Sequence, residues 1–424
     1  MANAYRSNAR VLLASLVGTS VEFYDFYIYA TAAALVFGPL FFPAESASAQ
    51  LLAAYASLGV AFIARPIGAA VFGHFGDRIG RKSTLVASLM LMGASTLLIA
   101  FLPTYQTAGW LAPLLLCILR FGQGLGLGGE WGGAALLAVE NAPPGHRARF
   151  GMFPQLGAPI GFLFANGLFL LLDALLTEAQ FLAWGWRIPF LLSIVLVGVG
   201  LWVRLKLSET PAFAAALEEA PPPRVPIGEL FARHAAPTIA GMFAVIACFA
   251  VFYLSTAFAL GHGTTVLGID RDAFLRAQLG AALFFALAIL LAGWASDKTS
   301  PKAVLMTGCA LAAIVGLLMG PLFEGGEIGL IWLYLALSQF TAGILYGPLG
   351  TYLPDLFPAR VRYSGASISF NVGGIMGGAL APIAAQALAE RGGLFYVGLY
   401  LAATAVVSAL AMASLKGNRL SHSV

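Results

Sequence analysis

Five ionisable side chains sit within runs of this sequence that are otherwise apolar: Glu22, Asp25, Arg65, Arg120 and Glu130. A charge withdrawn from water is costly unless another group answers it. Burial and a neighbouring guanidinium act in opposite senses on a carboxyl's hold on its proton, and the guanidinium itself stays charged. An acid set against an arginine is therefore a device for gaining and losing one proton. Glu22 and Asp25 are three positions apart and share a helix face. Counted along helices of ~1.5 Å rise per residue, Asp25 and Arg120 reach similar depth from opposite ends of their runs. They are expected to meet, with Asp25 or Glu22 taking the proton. Arg65 and Glu130 also match in depth and are expected to pair, as a lock on the fold or as a part of the chemistry.

The elements that carry these groups are long apolar helices. The chain is 60% hydrophobic and only 10% charged, against about 25% charged in an ordinary soluble domain. Runs of membrane-spanning length recur at about 11–38, 50–73, 84–103, 110–139, 150–173, 186–205, 236–261, 274–296, 303–322, 328–353, 364–389 and 393–414. The expected fold is an all-α membrane protein of twelve transmembrane helices. With the N-terminus in the cytoplasm, 17 of the 23 Lys and Arg fall on cytoplasmic segments, Arg204 among them. Arg187, Arg271, Arg276 and Arg391 fall outside, while Arg65 and Arg120 lie within spans. Excess positive charge stays inside, so both termini are expected in the cytoplasm. The fourth run, with Gly122, Gly124, Gly126, Gly128 and Gly132, has a bare strip suited to close helix contact. Its Gly124-x-Gly126-x-x-Gly129 has no preceding strand and is discarded as a dinucleotide fingerprint.

The chain divides into two like halves. The one long polar stretch, residues 206–235, reads as a linker between six-helix bundles at 1–205 and 236–424. Gly73-His-Phe-Gly-Asp77-Arg78-Ile-Gly-Arg81-Lys82 follows the second span, and Gly293-Trp-Ala-Ser-Asp297-Lys298-Thr-Ser-Pro-Lys302 follows the eighth. Arg147-Ala-Arg149 after the fourth span aligns with Arg360-Val-Arg362 after the tenth. Repeated halves are the plan of a rocking transporter with its site between them at mid-membrane. In the second half no span carries Asp, Glu, Lys or Arg near its centre, so proton chemistry is assigned to the first. Polar and aromatic residues at mid-span are the candidate substrate contacts: Tyr24, Tyr27, Gln123, Gln155, Asn166, Tyr253, Gln339, Tyr346 and Asn371. Cys117, Cys248 and Cys309 lie inside apolar runs without metal-ligand spacing. No nucleophile–base set appears, so neither an enzyme, a metal nor a cofactor is expected, and the modest net charge of +4 gives no nucleic-acid footprint.

The Gly73–Lys82 loop resembles the signature of the major facilitator superfamily. Arg120 to Glu140 resembles the fourth helix of that superfamily's proton-coupled sugar and metabolite porters. Val17-Gly-Thr-Ser-Val-Glu22-Phe-Tyr-Asp25, Ala64-Arg65-Pro-Ile-Gly, Gly129-Glu130-Trp-Gly-Gly and Phe357-Pro-Ala-Arg-Val-Arg-Tyr-Ser-Gly-Ala are similar to the metabolite:proton symporters, which carry shikimate, 2-oxoglutarate, citrate, proline or betaine. The first helix looks most like the shikimate-type members. The resemblance implies import of a small polar metabolite, an organic acid favoured, by proton symport across a bacterial inner membrane, in a monomer. It also implies an acid–arginine couple at Asp25 and Arg120. A cytoplasmic gate is implied at Asp77, Arg81, Glu140, Arg147, Arg149, Asp297 and Arg362, with Asp77 capping the eleventh helix near Ser364. An uncoupled facilitator, a drug or metabolite antiporter, and a receptor that binds without carrying are the alternatives.

Overall fold

The computed structural model describes residues 2–43, 47–205 and 226–415; the Arg81 side chain and most of the linker lie outside the described residues. The described residues are helical with short connections, as lipid demands of a chain that must satisfy its backbone internally. The first half contains α1 (Ala2–Ala32), α2 (Ala47–Ile79), α3 (Arg81–Ile99), α4 (Leu111–Glu140), α5 (Arg147–Leu175) and α6 (Ile188–Leu205). The second contains α7 (Ala235–Thr264), α8 (Arg271–Lys298), α9 (Pro301–Leu317), α10 (Ile328–Tyr346), α11 (362–391) and α12 (394–414). A break at Gly392 and Gly393 separates the last two. Gly393 has φ of +73°, a left-handed conformation that glycine adopts without strain. Glu324 Oε1 then accepts the Leu394 amide and caps α12. Three π-helical turns, Ala33–Phe37, Leu254–Phe258 and Ile375–Ala379, extend α1 and interrupt α7 and α11.

Each half has its own apolar core. Within each, small residues bring two helices to backbone contact. A Cβ at Gly128 of α4 would fall on the Arg65 carbonyl of α2, and one at Gly343 of α10 would fall on the Phe285 carbonyl of α8. The α4 glycines serve more than one neighbour: Gly124 and Gly128 face α2, whereas Gly122 and Gly126 face Ser95, Ser88 and Met92 of α3. From the linker, the helix Pro226–Arg233 lies across the junction of the halves. Its Leu230 is buried with Ala69, Phe357, Val361 and Ile368. The end of the molecule that bears the Gly73–Lys82 and Gly293–Lys302 loops is called the basic-loop end below.

Candidate functional site

Two adjoining cavities lie at mid-height. The larger runs between the halves and is walled by rings: Phe23, Phe26 and Tyr27 from α1, Phe249, Phe252 and Tyr253 from α7, with Phe285, Tyr346 and Phe370. Arg65 is the charged member of this lining. The smaller lies within the first half and is bordered by Glu22, Asp25, Ala61, Met92, Arg120 and Gln123. Phe26 and Leu127 border both.

In the smaller cavity Asp25 Oδ1 accepts from Ser193 at 2.5 Å, while its Oδ2 and Glu22 Oε2 are buried without a hydrogen-bond partner. Arg120 Nη1 donates to Gln123 Oε1 at 3.0 Å, and Gln123 in turn donates to Thr96 Oγ1 at 2.7 Å. The guanidinium lies 4.0 Å from the Tyr29 ring centre and 4.8 Å from that of Phe26, and its Nε and Nη2 are unpartnered. Asp25 and Arg120 thus share one cavity but form no ion pair. The direct contact expected between them gives way to cation–π and amide contacts.

The expected Arg65–Glu130 pair is replaced by two other arrangements. Glu130 is bound in two-fork fashion by Arg204, whose Nη1 donates to Glu130 Oε2 at 2.9 Å and whose Nη2 meets Oε1. Ser88 Oγ at 3.0 Å completes the carboxylate, and the Leu85 carbonyl takes a further Arg204 bond at 2.8 Å. Arg204 lies in the last turn of α6 and reaches inward over Gly18, where a side chain would collide with its guanidinium. Counting it as a cytoplasmic anchor hid it. The signal was Glu130 itself, a buried acid that requires a cation from some neighbouring helix. Arg65 has the right depth but the wrong bearing: it points between the halves, where its Nε donates to Asn371 Oδ1 at 2.9 Å.

Of the expected substrate contacts, Tyr27, Tyr253 and Tyr346 border the larger cavity and Gln123 the smaller. The others are spent on holding helices together. Tyr24 donates to the Pro189 carbonyl at 2.9 Å, Asn166 accepts from Thr31 at 2.9 Å, and Gln339 donates to Ser255 Oγ at 3.2 Å. Gln155 accepts from Trp131 Nε1 at 2.8 Å and donates to the Tyr346 carbonyl at 3.0 Å. Asn371 donates to the Gly128 carbonyl at 3.0 Å and to that of Ser367 at 2.8 Å. Gln155 and Asn371 therefore bridge the halves and do not line the cavity. Beside them Trp131 stacks on Phe370 at 3.8 Å between ring centres, closing the floor toward the basic-loop end.

That end is latched twice, in matching fashion. Asp77 accepts the Tyr363 amide at 3.2 Å, the Ser364 amide at 3.0 Å and the Ser364 hydroxyl at 2.7 Å, so it caps α11. Asp297 accepts the Ala148 amide at 2.8 Å and the Arg149 amide at 3.2 Å, capping α5, and pairs with Arg149 Nε at 2.9 Å. Arg362 reaches Glu140 at 3.4 Å, and Arg147 reaches Asp355 at 2.7 Å. Asp355 was absent from the expected gate, although Glu140 precedes Arg147 by the same seven positions that separate Asp355 from Arg362. The geometry also moves the repeat's register: Arg147 corresponds to Arg362 and not to Arg360, which instead faces Glu229 of the linker helix at 3.9 Å.

Residues 11–220 match the model of the family described as sugar (and other) transporter. The chain is 48% identical to the inner membrane metabolite transport protein YhjE of Escherichia coli (strain K12), over 96% of this chain and 93% of that one. To the shikimate transporter of the same organism it is 38% identical, over 97% and 95% of the two chains. Among solved structures, the proton:xylose symporter XylE bound to 6-bromo-6-deoxy-D-glucose superposes with a TM-score of 0.77 at 16% identity, covering 96% of this chain and 95% of that one. The inward-open form of XylE gives 0.67 over 94% of each chain. At such identities the structural likeness is one of fold.

Proposed function

The chain belongs to the metabolite transporters of the major facilitator superfamily, and from that membership we propose a secondary active transporter that imports a small organic acid together with protons. One observation carries the reading. A ring-walled cavity between the halves, with Arg65 on its wall, adjoins a second cavity bordered by Glu22, Asp25 and Arg120, and Phe26 and Leu127 line both. Cargo and proton thus have separate seats that share a wall, as coupling requires.

In this scheme the basic-loop end faces the cytoplasm, as do both termini, and its latches form the inner gate of a protein in the bacterial inner membrane. The proton enters from the outer side and neutralises Asp25 or Glu22. Arg120 is then retained by Gln123 and the rings of Tyr29 and Phe26, the arrangement seen here. Loss of the proton toward the cytoplasm restores the acid's claim on Arg120 and resets the cycle. An anionic cargo suits Arg65, and the shikimate transporter among the relatives makes shikimate the first acid to try.

The test is flux in proteoliposomes. Wild type is expected to accumulate labelled substrate against its gradient when the outside is acid, and to lose accumulation as external pH rises. Asp25→Asn is expected to exchange substrate across the vesicle while failing to concentrate it. Full accumulation by Asp25→Asn would remove that residue from coupling. Exchange indifferent to pH in the wild type would mark a facilitator, substrate efflux driven by inward protons an antiporter, and binding without flux a receptor.

A further inference from the structure

The central cavity offers a ligand little positive charge, and that little is tied to the closed end. Arg65 is the charged residue among those lining it, and among the described residues no carboxylate pairs with it. Its Nε is held by Asn371 and the guanidinium lies over the Phe62 and Phe370 rings, 5.5 and 5.9 Å from their centres, which leaves the two terminal amino groups of the fork without a hydrogen-bond partner. A guanidinium fork matches a carboxylate with two parallel bonds. A second feature points to a ligand: the Tyr346 hydroxyl, on the same wall, is buried and has no hydrogen-bond partner. No second cation is offered. Arg120 opens on the neighbouring cavity, past Phe26 and Leu127 and beside Glu22 and Asp25. Asn371, meanwhile, ties three helices at one point, accepting from Arg65 of α2 and donating to the Gly128 carbonyl of α4 from its own place on α11.

We propose that Arg65 binds the single carboxylate of a hydroxylated monocarboxylic acid, and that its bond to Asn371 lets the closed end sense the occupant. This rests on the transporter reading above and gives it a substrate class. A carboxylate seated on the fork draws the guanidinium into the cavity and weakens its hold on Asn371, loosening the tie between α11 and the first half. A dicarboxylate brings a charge that the cavity does not answer. An amide leaves the fork where it is.

The experiment uses the purified full-length protein, with affinities from titration calorimetry and thermal shift. The probes are quinate, gluconate and 3-hydroxybutyrate, the primary amides of each, succinate and citrate. The wild type is expected to bind at least one hydroxy monocarboxylate, about tenfold or more tighter than its amide. Arg65→Gln is expected to erase that preference and Arg65→Lys to keep part of it. Asn371→Asp supplies Arg65 with an internal carboxylate, so acid affinity should fall about tenfold or more. Because the carboxylate cannot donate to the Gly128 and Ser367 carbonyls, the unliganded melting temperature should fall as well. Asn371→Ala should keep both affinity and the acid-over-amide preference within about threefold. A packing role for Asn371 predicts the opposite order.

Acid preference surviving in Arg65→Gln, tighter binding of succinate or citrate, no response to any of the monocarboxylates, or unchanged binding by Asn371→Asp would each overturn the proposal. The transporter reading fails differently, by binding with the stated preference and no flux in vesicles.

Discussion

The basic-loop end and the membrane centre of this protein follow opposite rules. At the end, both halves carry the same latch: Asp77 caps α11 as Asp297 caps α5, and Glu140–Arg362 is answered by Asp355–Arg147. At the centre, Glu22, Asp25, Arg65, Arg120, Glu130 and Arg204 all belong to the first half, and the second offers neutral groups, Gln278, Gln339, Asn371 and Ser255 among them. Closing a gate by rocking two bundles needs both edges held, so the latch is duplicated. Moving a proton needs one acid with one path, and a copy in the other half would only add desolvated charge. On the transporter reading proposed above, the repeated part is the mechanical one and the unrepeated part the chemical one.

The sharpest way to break this comparison is at the centre. Asp25→Asn is expected to abolish pH-driven accumulation, whereas Gln339→Ala, which removes the α10 contact to the π-helical turn of α7, should leave the ratio of accumulated to free substrate intact and slow its approach. Flux at several external pH values distinguishes the two. Loss of accumulation in Gln339→Ala would mean that the proton path is not confined to the first half, whereas accumulation in Asp25→Asn would leave Glu22 as the carrier.

The next effect is on stability. Glu130→Gln leaves the Arg204 guanidinium buried without its counter-charge, a loss of about 3–5 kcal/mol by analogy with other broken buried pairs. Arg204→Met on the same background should recover most of it, because an apolar side chain of like length fills the space over Gly18. Thermal unfolding in detergent reads both. If Glu130→Gln unfolded no earlier than wild type, the pair would be dispensable to the fold and Glu130 would become a candidate for the chemistry.

These cases show what the sequence disclosed and what it hid. Twelve apolar runs, the two loop motifs and the depth of each charge were legible, because hydropathy and helix rise depend on position along the chain alone. Asp77 was legible to its partner only through the resemblance of its loop to the superfamily signature, and the cap it forms on α11 is the favourable one for an anion at a helix start. Bearing around the helix was not legible. Arg65 and Glu130 lie at one depth, yet Arg65 turns to the junction of the halves while Glu130 turns to α3 and α6. Reach was equally hidden, since the guanidinium of Arg204 lies a full side-chain length from its backbone. Gln155, Asn166 and Asn371 hold neighbouring helices in this structure, which the sequence did not disclose because an amide at mid-span looks the same whether it waits for a ligand or ties two helices.

Smaller effects test the symmetry of the latches. Asp77→Asn and Asp297→Asn each remove a carboxylate from a helix start, a loss of about 1–2 kcal/mol from the closed end. The two are expected to act alike, each raising the labelling of a cysteine placed at the closed interface. Asp77 receives three bonds from α11, and Asp297 receives two from α5 with Arg149 as a third partner. A marked inequality would show that one latch holds the gate and the other is residual.

The mildest change discriminates within a latch. Arg147–Asp355 has side chains 31% and 39% exposed, whereas Glu140 in the matching pair is 1% exposed. Exposed pairs contribute about 0–1 kcal/mol and weaken with salt, so Asp355→Asn should shift gate labelling by less than about fivefold, and less still at high ionic strength. Glu140→Gln leaves Arg362 beside a buried amide and should shift it further, with little response to salt. The two pairs occupy equivalent places in the repeat but differ in length and in exposure, so a difference in their response to salt reports solvent access. Equal shifts with equal salt dependence would mean that water reaches both pairs alike, and that the closed end is more open at Glu140 than its burial indicates.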